Sequence, residues 1–193
     1  YEIIIAADEG CYHEIYFDEK PVSILEVSRD GVVVFYSLSK SSNMTGYRVG
    51  FVAGDERIIR AFRKVKTQMD SGTPSFVQDA ASAALLDTAF VAENRAQYAR
   101  KRTMILKALE KTGLPACQSE STFYLWQKAP EGMTGEDLAH KLLKLGIVVT
   151  PGGWISDQPN EGTNPGQNYV RFPLVPKMAA VEEACERLRD FPI

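Results

Sequence analysis

Three apolar runs near the start of the chain, at 3–7 (IIIAA), 32–38 (VVVFYSL) and 49–54 (VGFVAG), are continuous rather than alternating. A strand with one wet face alternates apolar and polar residues. An unbroken run suits a strand covered on both faces by helices, and this predicts a sheet of the α/β class. The following segment agrees: Asp55 has the character of a helix N-cap, and Ile58, Ile59, Phe62, Val65 and Met69 recur behind it at helical spacing. That helix is expected to end near the SGTP turn at 71–74.

From residue 74 or 75 to about 111 the chain is rich in Ala, Gln, Glu, Arg and Leu and holds no Pro or Gly before Gly113. It is long enough for two helices or one bent one, and predicts a helical segment joining two domains, 1–95 and 96–193. Beyond Gly113 the rhythm changes to α+β. A strand is expected at 123–128 (FYLWQK), then a helix opened by the capping box Thr134 to Asp137, striped by Leu138, Leu142, Leu143 and Leu145 and closed by Gly146. Strands at 147–152 and 168–175 precede a last helix from near Pro176, with Val181, Cys185 and Leu188 inward.

Composition excludes several classes of function. Lys plus Arg number 22 against 25 Asp plus Glu, a net charge of −3, so there is no basic field for nucleic acid or an anionic membrane. Cys11, Cys117 and Cys185 are odd in number, far apart and without metal-ligand spacing, which predicts neither disulfides nor a metal centre. No apolar run approaches the ~20 residues of a membrane span, and no signal peptide is visible, so a cytoplasmic protein is expected. The entry straight into a strand without an initiator Met predicts a piece of a longer chain.

The densest chemistry lies at the end of the second run, SLSKSSNMTGYR (37–48). A lysine ending a buried strand among hydroxyls, with an arginine eight residues on, is suited to forming an imine, because desolvation and a nearby cation favour the neutral amine. The hydroxyls of Ser37 and Ser39 with the Arg48 guanidinium can hold a phosphate. An imine-forming lysine beside a phosphate site points to pyridoxal 5′-phosphate. On spacing alone, a solvated lysine and a surface arginine remain an equal reading.

SLSKSSNMTGYRVGFVAG resembles the lysine motif of the class I and II aminotransferases of fold type I, in which a serine, the aldimine lysine three residues on and a phosphate-binding arginine eight further recur. Ser37, Lys40 and Arg48 match it, and EIYFDEKPVSILE, KTQMDSGTPSFVQDAA and YVRF follow the family's order. The resemblance implies an α/β chain: the C-terminal part of the large cofactor-binding sheet domain, followed by a smaller α+β domain. It implies the C-terminal half of an enzyme, inactive by itself, whose complete form is a homodimer binding an amino acid and a 2-oxo acid. By the same resemblance Lys40 forms the internal aldimine and carries the proton, Asp8 pairs with the ring nitrogen, Tyr12 donates to the ring oxygen, Ser37 and Arg48 hold the phosphate, and Arg171 grips the substrate carboxylate.

The wording is most similar to enzymes acting on diaminopimelate or its succinylated form. A carbon–sulfur β-lyase on the same fold, or an aminotransferase-like domain of a transcription regulator, is the alternative. His13 and His140 are expected to be structural, Cys11 a packing residue, and 151–154 (PGGW) either a loop near the site or a turn packing Trp154. One departure stands out. Tyr12 follows Asp8 by four residues where the family has three, so either Gly10 allows a bulge and Asp8 keeps its role, or Glu9 replaces it. Asp8 is preferred, because a one-residue slip would turn the strand's side chains to the opposite face.

Overall fold

In the first part of the chain β1 (Ile5–Asp8) and β2 (Val32–Ser37) run parallel, Asp8 beside Phe35, while β3 (Gly50–Gly54) lies antiparallel on the other side of β2 with Gly50 opposite Ser37. This topology brings the carboxyl ends of β1 and β2 and the start of β3 to one end of the sheet. The structure is a computed structural model that describes residues 3–157 and 162–191. The chain divides into two compact units, one reaching to Ala96 and the other beginning at Gln97.

Between β1 and β2 stands the short helix α1 (Ile24–Val27), opened by a capping box of Ser23 and Glu26. After β2 come the single helical turn α2 (Leu38–Ser41) and a 3-10 turn (Thr45–Tyr47) that returns the chain to β3. Asp55 caps α3 (Glu56–Met69): its carboxylate accepts from the Arg57 backbone at 2.8 Å, the Gly31 backbone at 2.8 Å and the Arg57 guanidinium at 2.7 Å. The guanidinium bond, reinforced by the backbone donors, holds this carboxyl far below the usual range. The helical stretch that follows is two helices, α4 (Ser75–Leu86) and α5 (Thr88–Glu110). They break at Asp87, whose side chain accepts from the Phe90 backbone at 3.0 Å and so opens the second helix.

The second unit holds a three-stranded antiparallel sheet in the order β4 (Tyr124–Lys128), β6 (Tyr169–Pro173), β5 (Thr150–Pro151), with α6 (Gly135–Lys144) and α7 (Met178–Arg187). Its core is Leu125, Leu138, Leu142, Val170, Leu174, Val181 and Leu188, all buried. Alternation along the strands decides what faces away from that core: Leu125, Gln127, Val170 and Phe172 are buried, whereas Tyr124, Trp126, Tyr169 and Arg171 are not.

Several expectations fail locally. Ile3 and Ile4 are 73% and 62% exposed, so none of the described residues covers the start of the first apolar run; among those residues β1 is an edge strand, paired with β2 alone. Val65 and Met69 at the end of α3, and Leu143 of α6, are exposed, with no described residue packed over them to bury them. The strand expected at 147–152 shrinks to the two residues of β5. Gly146 has φ 72°, Ile147 folds back to donate to Leu142 O at 3.0 Å and is buried, and a 3-10 turn begins at Gly152. Trp154 in that turn is 68% exposed and packs into no core.

Candidate active site

At the carboxyl end of β1 two adjacent acids separate in role. Glu9 is buried, and its Oε1 accepts from the backbone of Ile24 at 2.8 Å, satisfying a first-turn donor of α1 that has no intrahelical partner. Asp8 is exposed, and its Oδ1 accepts from Gly10 N at 3.1 Å. A Cβ on Gly10 would lie 2.8 Å from the backbone nitrogen of Ser37 and 3.1 Å from its Cβ. The extra residue in this turn is therefore a contact: without a side chain at position 10 the loop after β1 lies directly against the start of α2. Tyr12, half-buried in the same loop, has its phenol pKa raised, chiefly by burial and then by the negative charges of Glu9 and Asp8, so it stays a proton donor.

Replacing Gly10 by alanine is expected to cost about 1–3 kcal/mol in urea unfolding, because the atom met is backbone and cannot rotate away. Wild-type stability in that variant would mean that the turn and Ser37 do not touch.

The lysine stands one turn beyond the strand rather than at its end. Ser37 closes β2 and caps α2, its Oγ accepting from Ser39 N at 3.3 Å, and Lys40 is the third residue of that turn, half-buried. Leu38, wholly buried, roots the turn in an apolar cluster with Met44, Val49, Val77 and Ala81. The loop from Lys40 to Arg48 is tied back to it: Thr45 Oγ1 donates to Ser39 O at 3.1 Å, Met44 N to Leu38 O at 3.2 Å, and Arg48 Nη1 to Thr45 O at 3.1 Å. Asn43 and Arg48 both have φ 53°, a left-handed conformation that is uncommon outside glycine and that such contacts must hold in place.

One contributor carries no motif. Asn94 of α5 is buried, and its Nδ2 reaches Ser41 O at 3.2 Å, Lys40 O at 3.4 Å and the side chain of Asn43 at 3.4 Å. The only trace of it in the sequence is a poor helix former in the middle of a long helix.

Asp8, Tyr12, Ser37, Lys40 and Arg48 thus share the one end of the first unit's sheet. Arg171 belongs to the second unit. It lies at the middle of β6, opposite Trp126 on one side and Thr150 on the other, with its guanidinium carbon 4.5 Å above the ring centroid of Tyr124. Its Nε is buried and has no hydrogen-bond partner among the described residues. His13 Nδ1 lies 3.2 Å from Glu14 Oε1.

The sequence pattern of the class I and II aminotransferases matches residues 1–188. The chain belongs to that family. It is 39% identical over 198 residues to the LL-diaminopimelate aminotransferase of Aquifex aeolicus, a match covering 100% of this chain and 49% of that one. Among solved structures, an aminotransferase from Neisseria meningitidis superimposes with a TM-score of 0.87 at 36% identity, covering 99% of this chain and 49% of its own. A probable N-succinyldiaminopimelate aminotransferase from Thermus thermophilus does so with a TM-score of 0.81 at 26% identity, covering 97% and 49%. The chain therefore spans about half the length of the relatives it matches and carries part of the type I fold.

The family implies pyridoxal 5′-phosphate. The donor set fits it: an amine on a braced turn for its aldehyde, an exposed carboxylate for its ring nitrogen, a phenol kept protonated for its ring oxygen, and a hydroxyl and a guanidinium for its phosphate.

Proposed function

We propose that the full-length protein is a pyridoxal-phosphate-dependent aminotransferase that moves an amino group between an amino acid and a 2-oxo acid, with LL-diaminopimelate or its succinylated form as the amino donor. The reading is supported above all by the gathering of Asp8, Ser37, Lys40 and Arg48 at one sheet end while the competing acid Glu9 is engaged in capping α1. The donor class is supported by the 39% identity to a protein named for it. In domain terms, the unit reaching to Ala96 is the remaining part of the cofactor domain, and the unit from Gln97 is the smaller domain.

When bound, the cofactor supplies an electron sink for the pair released as the substrate Cα loses its proton. The chain's residues do the rest. Lys40 would hold the cofactor through its amine and, as a free amine, would take the proton from the substrate Cα and later give it back. The Asp8 carboxylate keeps a proton on the ring nitrogen, since an adjacent negative charge favours the cationic form. Tyr12 donates to the ring oxygen. Ser37 and Arg48 hold the phosphate, and the Arg171 fork grips the substrate's α-carboxylate. The complete protein acts as a cytoplasmic homodimer, as the family resemblance implies.

A two-stage transfer has a distinctive stoichiometry. Loaded with cofactor and mixed with LL-diaminopimelate alone, the full-length protein is expected to release about one equivalent of oxidised product per site and stop, resuming only when a 2-oxo acid is added. Continuous product release without an acceptor would instead identify a lyase, and no release with any amino acid would identify a non-catalytic domain.

A further inference from the structure

We propose that Asn94 is a positioning residue for Lys40, its side-chain amide reaching from α5 to hold the turn that carries the lysine in its working orientation. This inference rests on the role given to Lys40 above. The turn α2 has only four residues, and forming a first helical turn costs more than its single closing bond returns, so it depends on outside contacts. Its front is held by the Ser37 cap, by Leu38 in the apolar cluster and by the Thr45 hydroxyl on Ser39 O.

Its rear is different. The last carbonyls of a helix have no partner within it, and here those of Lys40 and Ser41 both accept from Asn94 Nδ2, at 3.4 and 3.2 Å. Asn94 and Ser41 are buried, so water does not readily replace the bonds. The amide is itself fixed by a reciprocal pair with Asn43, Nδ2 to Oδ1 at 3.4 Å one way and 3.5 Å the other. Asn43 is where the chain leaves the turn through its left-handed residue.

The consequence for chemistry follows from leverage. One of the two carbonyls that Asn94 holds belongs to Lys40 itself, so a rotation of that peptide plane swings the lysine's Cα–Cβ bond, and the four-carbon stem magnifies the swing at the amine. Asn94 contacts the backbone of the turn, so its loss acts on steps that use the lysine and leaves substrate binding largely intact.

The test compares Asn94→Ala and Asn94→Ser in the full-length protein. In Asn94→Ala, kcat is expected to fall about tenfold with KM for the amino donor within about twofold of wild type. Independently of turnover, cofactor-free Asn94→Ala is expected to develop the visible absorption band about tenfold more slowly when mixed with pyridoxal phosphate. Asn94→Ser, whose hydroxyl can still donate to one carbonyl, should recover part of both rates. Wild-type kcat and uptake in Asn94→Ala, or a loss confined to thermal stability, overturns the proposal. Should Asn94→Ala not fold, Asn43→Ala is expected to show the same pattern more weakly, and a wild-type kcat there overturns it as well. Lys40→Ala run in parallel keeps the two readings apart. A band retained in that variant sinks the lysine assignment, whereas a band lost there beside an unaffected Asn94→Ala sinks only the role of Asn94.

Discussion

Replacing Lys40 by alanine in the full-length protein is expected to lower turnover by about 10⁴-fold or more while leaving the thermal transition near that of wild type. Both halves of the expectation come from the same turn. The side chain is asked to act both as nucleophile towards the cofactor and as carrier of the Cα proton, so the substitution removes two functions at once. In the proposed mechanism Asp8 is taken up by the ring nitrogen, and His13 Nδ1 lies 3.2 Å from Glu14 Oε1. The turn itself is held by atoms that the substitution spares: the Ser37 cap, the buried Leu38, the Thr45 hydroxyl and the Asn94 amide on the backbone carbonyls. Single-turnover kinetics beside a melting curve read both. A variant that keeps turnover within tenfold of wild type rules the lysine out as the proton carrier.

The second large effect separates neighbours. Asp8→Ala is expected to reduce turnover about 10²–10³-fold with little change in stability, because an exposed carboxylate whose bond to Gly10 is local contributes little to the fold, whereas in the proposed mechanism its charge at the ring nitrogen would be used in the transition state. Glu9→Ala should do the reverse. It removes the buried acceptor of Ile24 N, and leaving that donor unsatisfied costs about 1–3 kcal/mol, with kcat per folded molecule close to wild type. If Glu9→Ala abolishes transfer and Asp8→Ala does not, the acids have been assigned the wrong way round.

Much of this chain is legible from spacing. The unbroken apolar runs lead to the sheet, Asp55 and Thr134 do open helices, and the long Gly-free stretch is two helices. These are local facts, set by side-chain periodicity and by which residues can satisfy the first turn of a helix. The failures are tertiary. Exposed Ile3, Val65, Met69 and Leu143 match a buried pattern, yet burial depends on what lies against them, which periodicity cannot state.

The site divides along the same line. Ser37, Lys40 and Arg48 are recognisable by their intervals because one short loop carries all three, and the sequence alone determined the family resemblance from which the chemistry of this end of the sheet is proposed. Tertiary structure decided the rest. Asp8 and Glu9 are indistinguishable as neighbouring acids until the position of Ile24, fifteen residues on, turns one of them into a cap. Gly10 reads as an insertion until Ser37 is seen against it. Asn94, more than fifty residues from the turn that it holds, has no interval to be recognised by, because a hydrogen bond between distant segments depends on where the fold brings them together and not on their separation along the chain.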